Sequence, residues 1–193
     1  MVNDALIPFR AGWLLSLMVA IVVLTICDSA ARQLNRPTEI SPVIQTKGWQ
    51  MHTDHTYGFA IEYPKGYVIL KEVTLPIPTQ PSAVQRVRFQ RKHIAAGQFA
   101  DLEPPVLTIQ VFARSSGRPL REWLDSFGLL PPGSEIAAVQ LPGAHEGLRV
   151  ALRQQLAPNE FLYFATDQYM YGLIPFGPEG EKMLTSFRLT RTP

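Results

Sequence analysis

The chain has 193 residues, of which 46% are hydrophobic and 18% are charged, and its formal net charge is +2. These values describe a globular protein of one ordinary domain with an appendage, and they exclude a disordered chain and a coiled coil. The small net charge gives no indication of nucleic-acid binding, and a single cysteine, Cys27, excludes an intrachain disulfide.

The first feature in chain order is an uncharged apolar run from Ala11 to Ile26, which follows Arg10. This run is short for a membrane-spanning helix, which needs about 20 residues, and slightly long for the apolar part of a signal peptide, about 7 to 15. Residues 1–31 are therefore predicted to form a hydrophobic helix that is either a retained membrane anchor or a cleaved signal. In both interpretations, the rest of the chain is exported to the periplasmic or extracytoplasmic side of a membrane.

Cys27 lies where a bacterial lipoprotein carries its lipidated cysteine, but the bulky Ile26 stands where such a motif has a small residue. An apolar cysteine buried in the membrane is therefore favoured over lipidation. Residues 32–47 follow with two prolines and no hydrophobic period, which is typical of a linker. The folded domain is predicted to cover residues 48–193.

The clearest strand pattern in this domain is Tyr57 to Pro64. Phe59, Ile61 and Tyr63 alternate with smaller or polar residues, so one face of the strand is expected to enter a core. Glu62 belongs to the other face and is expected to point into solvent. The neighbouring segments Gly48 to Thr53 and Tyr67 to Val73 are predicted to join this strand in a three-stranded meander.

Further alternating segments predict strands over most of the remaining chain. They are Val84 to Lys92, Val106 to Arg114, Glu135 to Leu141, Glu146 to Gln154, and an aromatic hairpin formed by Phe161 to Thr166 and Tyr169 to Ile174. Apolar residues at helical spacing predict one helix over Leu120 to Phe127 and a second opened by Pro178. The prediction is an α+β fold with an antiparallel sheet covered by helices.

Three basic residues near the end of one predicted strand are the best candidates for function. Arg86, Arg88 and Lys92 are separated by even numbers of residues, so their side chains are expected to form a basic ridge on one face. Such a ridge can meet anionic headgroups or an acidic partner. The simpler interpretation, a solvent-facing set of charges that keeps the strand soluble, is favoured between the two.

Two other groups of residues are weaker candidates. The hairpin aromatics are interpreted as core packing rather than the lining of a ligand pocket; they are Tyr163, Phe164, Tyr169 and Tyr171. His52, Asp54 and His55 resemble metal ligands, but three residues at one turn fall short of a zinc site, and a solvated turn is the favoured interpretation. The sequence has no nucleophile elbow and no phosphate-binding glycine loop. We therefore predict a protein that is not an enzyme, with no catalytic residue, metal or cofactor.

Two stretches carry a resemblance to a known family. Thr56 to Tyr67, which reads Thr-Tyr-Gly-Phe-Ala-Ile-Glu-Tyr-Pro-Lys-Gly-Tyr, resembles the opening of the PsbP family and its exported bacterial relatives, and Leu184 to Leu189 resembles the end of that family's domain. The resemblance covers about Gly48 to Thr192. It implies an α-β-α sandwich and a noncatalytic accessory role at a membrane surface, and it assigns no role to a particular residue.

The function expected from the sequence is that of an exported, membrane-associated, noncatalytic domain. It associates with a membrane through its N-terminal segment and binds a protein or membrane-complex partner, with Arg86, Arg88 and Lys92 as the docking residues. The alternative is a module that binds a small molecule or a lipid in a cleft beside the aromatic hairpin. No nucleic-acid partner is expected.

Overall fold

The computed structural model describes residues 38–39, 48–73, 82–97, 102–114, 117–153 and 158–190. The chain divides into two units, Met1–Arg36 and Pro37–Pro193, and all the described residues belong to the second. The hydrophobic helix predicted within residues 1–31 and the lipidation considered at Cys27 lie outside the described residues. No helix in the described ranges is both long enough and apolar enough to cross a membrane.

Strands dominate the described part of the chain, and the helices are few and short. The strands are β1 Thr38–Glu39, β2 Trp49–Asp54, β3 Phe59–Pro64, β4 Tyr67–Val73, β5 Gln85–Arg91, β6 Leu107–Ala113, β7 Glu135–Gln140, β8 Glu146–Ala151, β9 Glu160–Ala165, β10 Tyr169–Pro175 and β11 Arg188–Leu189. The helices are α1 Lys92–Ala95, α2 Leu120–Ser126 and α3 Gly177–Leu184. The two predicted helices and the predicted aromatic hairpin, β9 and β10, are confirmed.

These strands form two sheets. The large sheet has the order β1-β7-β8-β9-β10-β6-β5-β4, and the small sheet has the order β11-β3-β2. All described pairings are antiparallel except that of β1, whose two residues lie in the predicted linker and pair in parallel with Val139 and Gln140 of β7. The fold is therefore built mostly from antiparallel sheet.

The predicted meander of three strands is wrong at its third member. β2 pairs with β3, but β4 pairs with β5 in the large sheet. The physical reason is that the second edge of β3 is occupied by β11, whose Arg188 and Leu189 pair with Ala60 and Phe59. The chain changes sheets at a tight turn that contains Gly66, which has a φ of 93° that favours glycine.

The principal core lies between the two sheets. Phe187 stacks on Phe59 of β3, with ring centroids 5.8 Å apart, and on Phe164 of β9, with centroids 6.2 Å apart. Helix α3 contributes Met183 and Leu184 to the same cluster. The small sheet and α3 thus cover one face of the large sheet, which we call its inner face.

A second core lies on the outer face of the large sheet, beneath α2. Leu120, Trp123 and Leu124 are buried there, as their helical spacing predicts, and the Trp123 ring lies 5.3 Å from that of Phe112 on β6. A helix-covered α-β-α sandwich is not confirmed, because the cover on the inner face includes a second sheet as well as a helix.

Glu62 is buried, so the expectation that it points into solvent is wrong. It is 6% exposed, because the chain that follows α3 packs against this part of β3. β11 is too short to pair with Glu62, and the Ser186 hydroxyl oxygen instead accepts a hydrogen bond from its backbone N–H at 2.8 Å. Ser186 donates its own hydrogen to the Met183 carbonyl oxygen at 2.7 Å. The two stretches that carry the family resemblance are therefore in direct contact.

Replacing Ser186 with alanine tests this contact. Ser186→Ala leaves the buried N–H of Glu62 without a partner, so we expect the free energy of unfolding to fall by about 1–3 kcal/mol. Urea denaturation of the full chain measures this loss. Thr185→Ala removes a neighbouring but exposed hydroxyl and is expected to change stability by less than about 0.5 kcal/mol. Equal effects of the two variants would contradict the role given to Ser186.

Candidate functional site

Two of the three predicted basic residues lie side by side on the outer face of the large sheet. Arg86 and Arg88, which we call the arginine pair, alternate along β5 with Val87 and Phe89, which are buried in the principal core. The arginine side chains therefore point away from that core. They are 40% and 32% exposed, respectively.

One carboxylate on the neighbouring strand contacts both arginines. Glu72 of β4 is the cross-strand neighbour of Arg86. Its Oε2 accepts a hydrogen bond from Nη1 of Arg86 at 3.5 Å, and its Oε1 accepts one from Nη2 of Arg88. Among the described residues, two guanidinium groups therefore share a single carboxylate, which leaves the pair with an excess of one positive charge.

The donors through which the arginine pair can meet solvent are those on the terminal nitrogens. In the described structure, the Nε atoms of Arg86 and Arg88 are both buried and have no hydrogen-bond partner. Each guanidinium carries five N–H donors, and four of them are on the terminal nitrogens. Glu72 uses one terminal nitrogen of each arginine, so terminal donors remain that this carboxylate does not contact.

Lys92 is separated from the arginine pair. β5 ends at Arg91, and Lys92 is the exposed first residue of α1. Gln90, between Arg88 and Lys92, is buried, and its side-chain nitrogen donates to the Glu103 carbonyl oxygen at 2.9 Å. This contact interrupts the predicted ridge of three basic residues. The continuous part of the ridge consists of Arg86 and Arg88.

The surroundings of the arginine pair combine polar and apolar side chains. Gln110 and Thr108 of β6 are the cross-strand neighbours of Arg86 and Arg88, and Leu70 of β4 lies across from Arg88 and is 37% exposed. We call this surface the arginine face, and its residues are Leu70, Glu72, Arg86, Arg88, Thr108 and Gln110. It offers cationic, polar and apolar groups on one rigid sheet.

A cleft lies beside the aromatic hairpin, although the predicted core packing of the four hairpin aromatics is confirmed, since Tyr171 is 2% exposed and Tyr169 packs against the same core. The volume of the cleft is about 440 Å³, and Tyr169 and Tyr171 are among its lining residues. Tyr163 instead lies in the core beneath α2, where burial raises its pKa to about 12, and Phe164 lies in the principal core. At the rim of the cleft, His145 Nε2 lies 3.0 Å from a carboxylate oxygen of Asp167.

Asp54 has a structural role that the sequence did not reveal. It is 4% exposed, and its Oδ1 accepts hydrogen bonds from the backbone N–H groups of Thr56 and Tyr57, both at 3.1 Å. Its Oδ2 accepts from Lys71 Nζ at 2.9 Å and Gln85 Nε2 at 2.8 Å. Burial alone would raise the pKa of Asp54, but the hydrogen bonds from Lys71, Gln85 and Tyr57 outweigh it and hold the pKa below its usual value.

The two histidines near Asp54 do not join it in a ligand cluster. The His52 ring packs edge-on against Phe59 and Phe89, with centroids about 6 Å apart, and His55 is exposed in the following turn. Burial and the nearby Lys71 lower the pKa of His52. Among the described residues, no group of three or more His, Cys, Asp or Glu side chains is arranged to hold a metal ion.

Sequence reasoning identified the arginines but missed Glu72, Lys71 and Gln85. Glu72 is one of two charged neighbours in a predicted strand, and that pattern alone does not say which residue it faces. Its contact with Arg86 requires the register of β4 on β5, whereas the sequence placed β4 beside β3. The missing information was strand pairing and not residue type.

The buried Asp54 predicts acid sensitivity. Because its pKa is lower in the folded state than in the unfolded state, its stabilising effect is present above about pH 4 and is lost as the pH falls through the folded-state pKa. Asp54→Asn should lower the free energy of unfolding at pH 7 by about 1–3 kcal/mol and lose less further stability between pH 5 and pH 3 than the wild type. Urea denaturation across this range is the measurement, with Asp125→Asn, an exposed change on α2, as the control. Identical acid dependence in the wild type and Asp54→Asn would contradict the assignment.

His52 predicts a second pH range, separate from that of Asp54, in which the stability of the fold changes. A histidine whose pKa is lowered by folding stabilises the fold fully above its unfolded value, near 6.5, and less as the pH falls towards its folded value. His52→Leu should keep near wild-type stability at pH 7.5, since it also removes a buried Nε2 that has no hydrogen-bond partner, and should lose less stability at pH 5. Unfolding curves at the two pH values give the difference. The exposed His93, changed to leucine, serves as the control, and an unchanged pH response in His52→Leu would refute the prediction.

Comparison with known proteins gives a limited result. No family model and no curated protein matches this sequence. Among solved structures, the chain is similar to the solution structure of cyanobacterial PsbP, CyanoP, from Synechocystis sp. PCC 6803, with 12% sequence identity and a TM-score of 0.40. That match covers 77% of this chain and 96% of the cyanobacterial chain. It does not by itself assign the chain to the PsbP family, and the relation stays a resemblance.

Proposed function

We propose that this protein is a noncatalytic binding domain that docks an acidic protein partner through the arginine face. The observation that carries the proposal is the charge imbalance at Arg86 and Arg88, where, among the residues that the structure describes, two partly exposed guanidinium groups share the one carboxylate of Glu72. A rigid guanidinium fork matches the geometry of a carboxylate, and bonds between these groups are stronger than those between neutral groups. A carboxylate-rich partner is the chemical complement of this surface.

The composition of the face favours an acidic protein over a lipid surface. Recognition of anionic lipids commonly uses clusters of four to eight Lys or Arg residues. The arginine face has two arginines and one glutamate, and the buried Gln90 separates it from Lys92. Its polar neighbours and the partly exposed Leu70 suit a protein surface, where charges fix the register and apolar contacts add affinity.

The proposed site of action is the outer side of a membrane. The apolar run Ala11 to Ile26 supports export, either as an anchor or as a cleaved signal. The resemblance of Thr56 to Tyr67 to the opening of the PsbP family supports an accessory role without catalysis. A component of a membrane complex is therefore the class of partner that we propose.

The cleft beside the hairpin supports a second candidate function, the binding of a small molecule. Its volume of about 440 Å³ is within the usual range for ligand sites, and Tyr169 and Tyr171 give it aromatic walls. The His145 and Asp167 side chains make its rim polar, which suits a polar small molecule better than a lipid chain.

Charge reversal at the arginine pair tests the leading proposal. The full chain in detergent is titrated against a fluorescein-labelled peptide of ten glutamates, and binding is followed by fluorescence anisotropy. Arg86→Glu combined with Arg88→Glu should weaken binding by roughly tenfold or more, because removal of a charged hydrogen bond costs about 1.5–3 kcal/mol. The wild-type affinity should also fall as salt is raised.

A matched control separates a local site from general charge. Lys65→Glu combined with Arg121→Glu changes the net charge by the same amount at exposed positions outside the arginine face. This control should bind the peptide within about twofold of the wild type. Equal loss of binding in both double variants, or no loss in either, would defeat the proposal. The same chain is also tested on vesicles that contain phosphatidylserine. Binding to these vesicles without binding to the peptide would indicate a membrane surface and not a protein partner.

A further inference from the structure

We infer that Glu72 is an internal competitor for the arginine face. In the free domain its carboxylate occupies the arginine pair, and a carboxylate of the partner takes its place on binding. This inference rests on the proposed function, because it concerns how the same arginines are made available to a partner.

Glu72 contacts nitrogen atoms that an incoming carboxylate also needs. The buried Nε atoms of Arg86 and Arg88 cannot be reached from solvent, so an incoming carboxylate has to bind the terminal nitrogens. Those are the atoms that Glu72 contacts. An end-on bidentate carboxylate needs both terminal nitrogens of one arginine, and Glu72 already contacts one of the two in each arginine, so Glu72 and an external carboxylate compete for that nitrogen.

The carboxylate of Glu72 also fits the two guanidinium groups incompletely. It gives one oxygen to each arginine, and its contact with Arg86 is long, at 3.5 Å. Neither guanidinium donates to Glu72 the two parallel hydrogen bonds of a bidentate pair, which is the favoured arrangement between arginine and a carboxylate. A carboxylate that approaches from solvent is free to adopt this arrangement with either arginine.

The contact between Glu72 and the arginine pair is also open to solvent. Glu72 is 38% exposed, and Arg86 and Arg88 are exposed to a similar extent. Ion pairs that are open to solvent contribute little to stability, because water solvates the charges when the pair separates. Displacement of Glu72 therefore leaves a hydrated carboxylate on the surface and no buried charge.

The inference predicts that removing the charge of Glu72 strengthens binding of an acidic ligand. Glu72→Gln keeps the shape of the side chain and leaves the arginine pair without its internal carboxylate. We expect the full chain with this change to bind the labelled ten-glutamate peptide about three- to tenfold more tightly than the wild type. Circular dichroism and thermal unfolding verify that the variant is folded.

Two controls make the result specific. Glu181→Gln removes one negative charge at an exposed position on α3, and it should change the affinity by less than about twofold. Glu72→Gln should also give no gain when Arg86 and Arg88 are both glutamine, because Glu72 acts only through the two arginines that it contacts, and residues in contact are energetically coupled.

The outcomes separate this inference from the proposed function. Tighter binding by Glu72→Gln alone, lost in the arginine-free background, supports the competitor role. Unchanged or weaker binding by folded Glu72→Gln overturns that role, while weaker binding by the double arginine reversal would still uphold the docking site. If the double reversal leaves binding unchanged, the docking site itself fails, and the competitor role fails with it.

Discussion

The buried carboxylate of Asp54 connects parts of the domain that no described backbone pairing joins. It closes the turn between β2 and β3 through two backbone N–H groups, and it reaches across to Lys71 of β4 and Gln85 of β5 in the other sheet. The two sheets are otherwise held together mainly by apolar packing, which has little directional preference. Hydrogen bonds at a buried charge do have direction, so Asp54 helps to fix how the small sheet lies on the large one.

The same two strands carry the arginine face on their opposite side. Lys71 and Gln85 point inward to Asp54, and the residues that follow them, Glu72 and Arg86, point outward, because successive side chains of a strand alternate between faces. The inner contacts therefore hold the backbone that positions the outer charges. For the docking that we propose, a backbone that is hydrogen-bonded to a strand on each side lowers the entropy cost of binding.

Hydrophobic alternation in the sequence was enough to predict most of the strands, but it could not predict their partners. Tyr57 to Pro64 was correctly predicted as a strand. The predicted solvent exposure of Glu62 was wrong, because Ser186, which packs over it, lies 124 residues away in the chain. Tyr163 and Phe164 show the same limit. They are adjacent on β9 and enter two different cores, and a strand buried on both faces has no polar side from which its orientation can be read.

Burial distinguishes Asp54, which is part of the scaffold, from Glu72, which we propose is displaced by a partner. Asp54 and Glu72 both accept hydrogen bonds from cationic side chains, but Asp54 is 4% exposed and Glu72 is 38% exposed. Breaking the contacts of Asp54 would leave a charge and several donors unsatisfied in the interior, which is strongly unfavourable. Breaking those of Glu72 exposes its groups to water at little cost. Depth in the fold makes Asp54 part of the scaffold, and its solvent exposure suits Glu72 to the displacement by a partner that we propose.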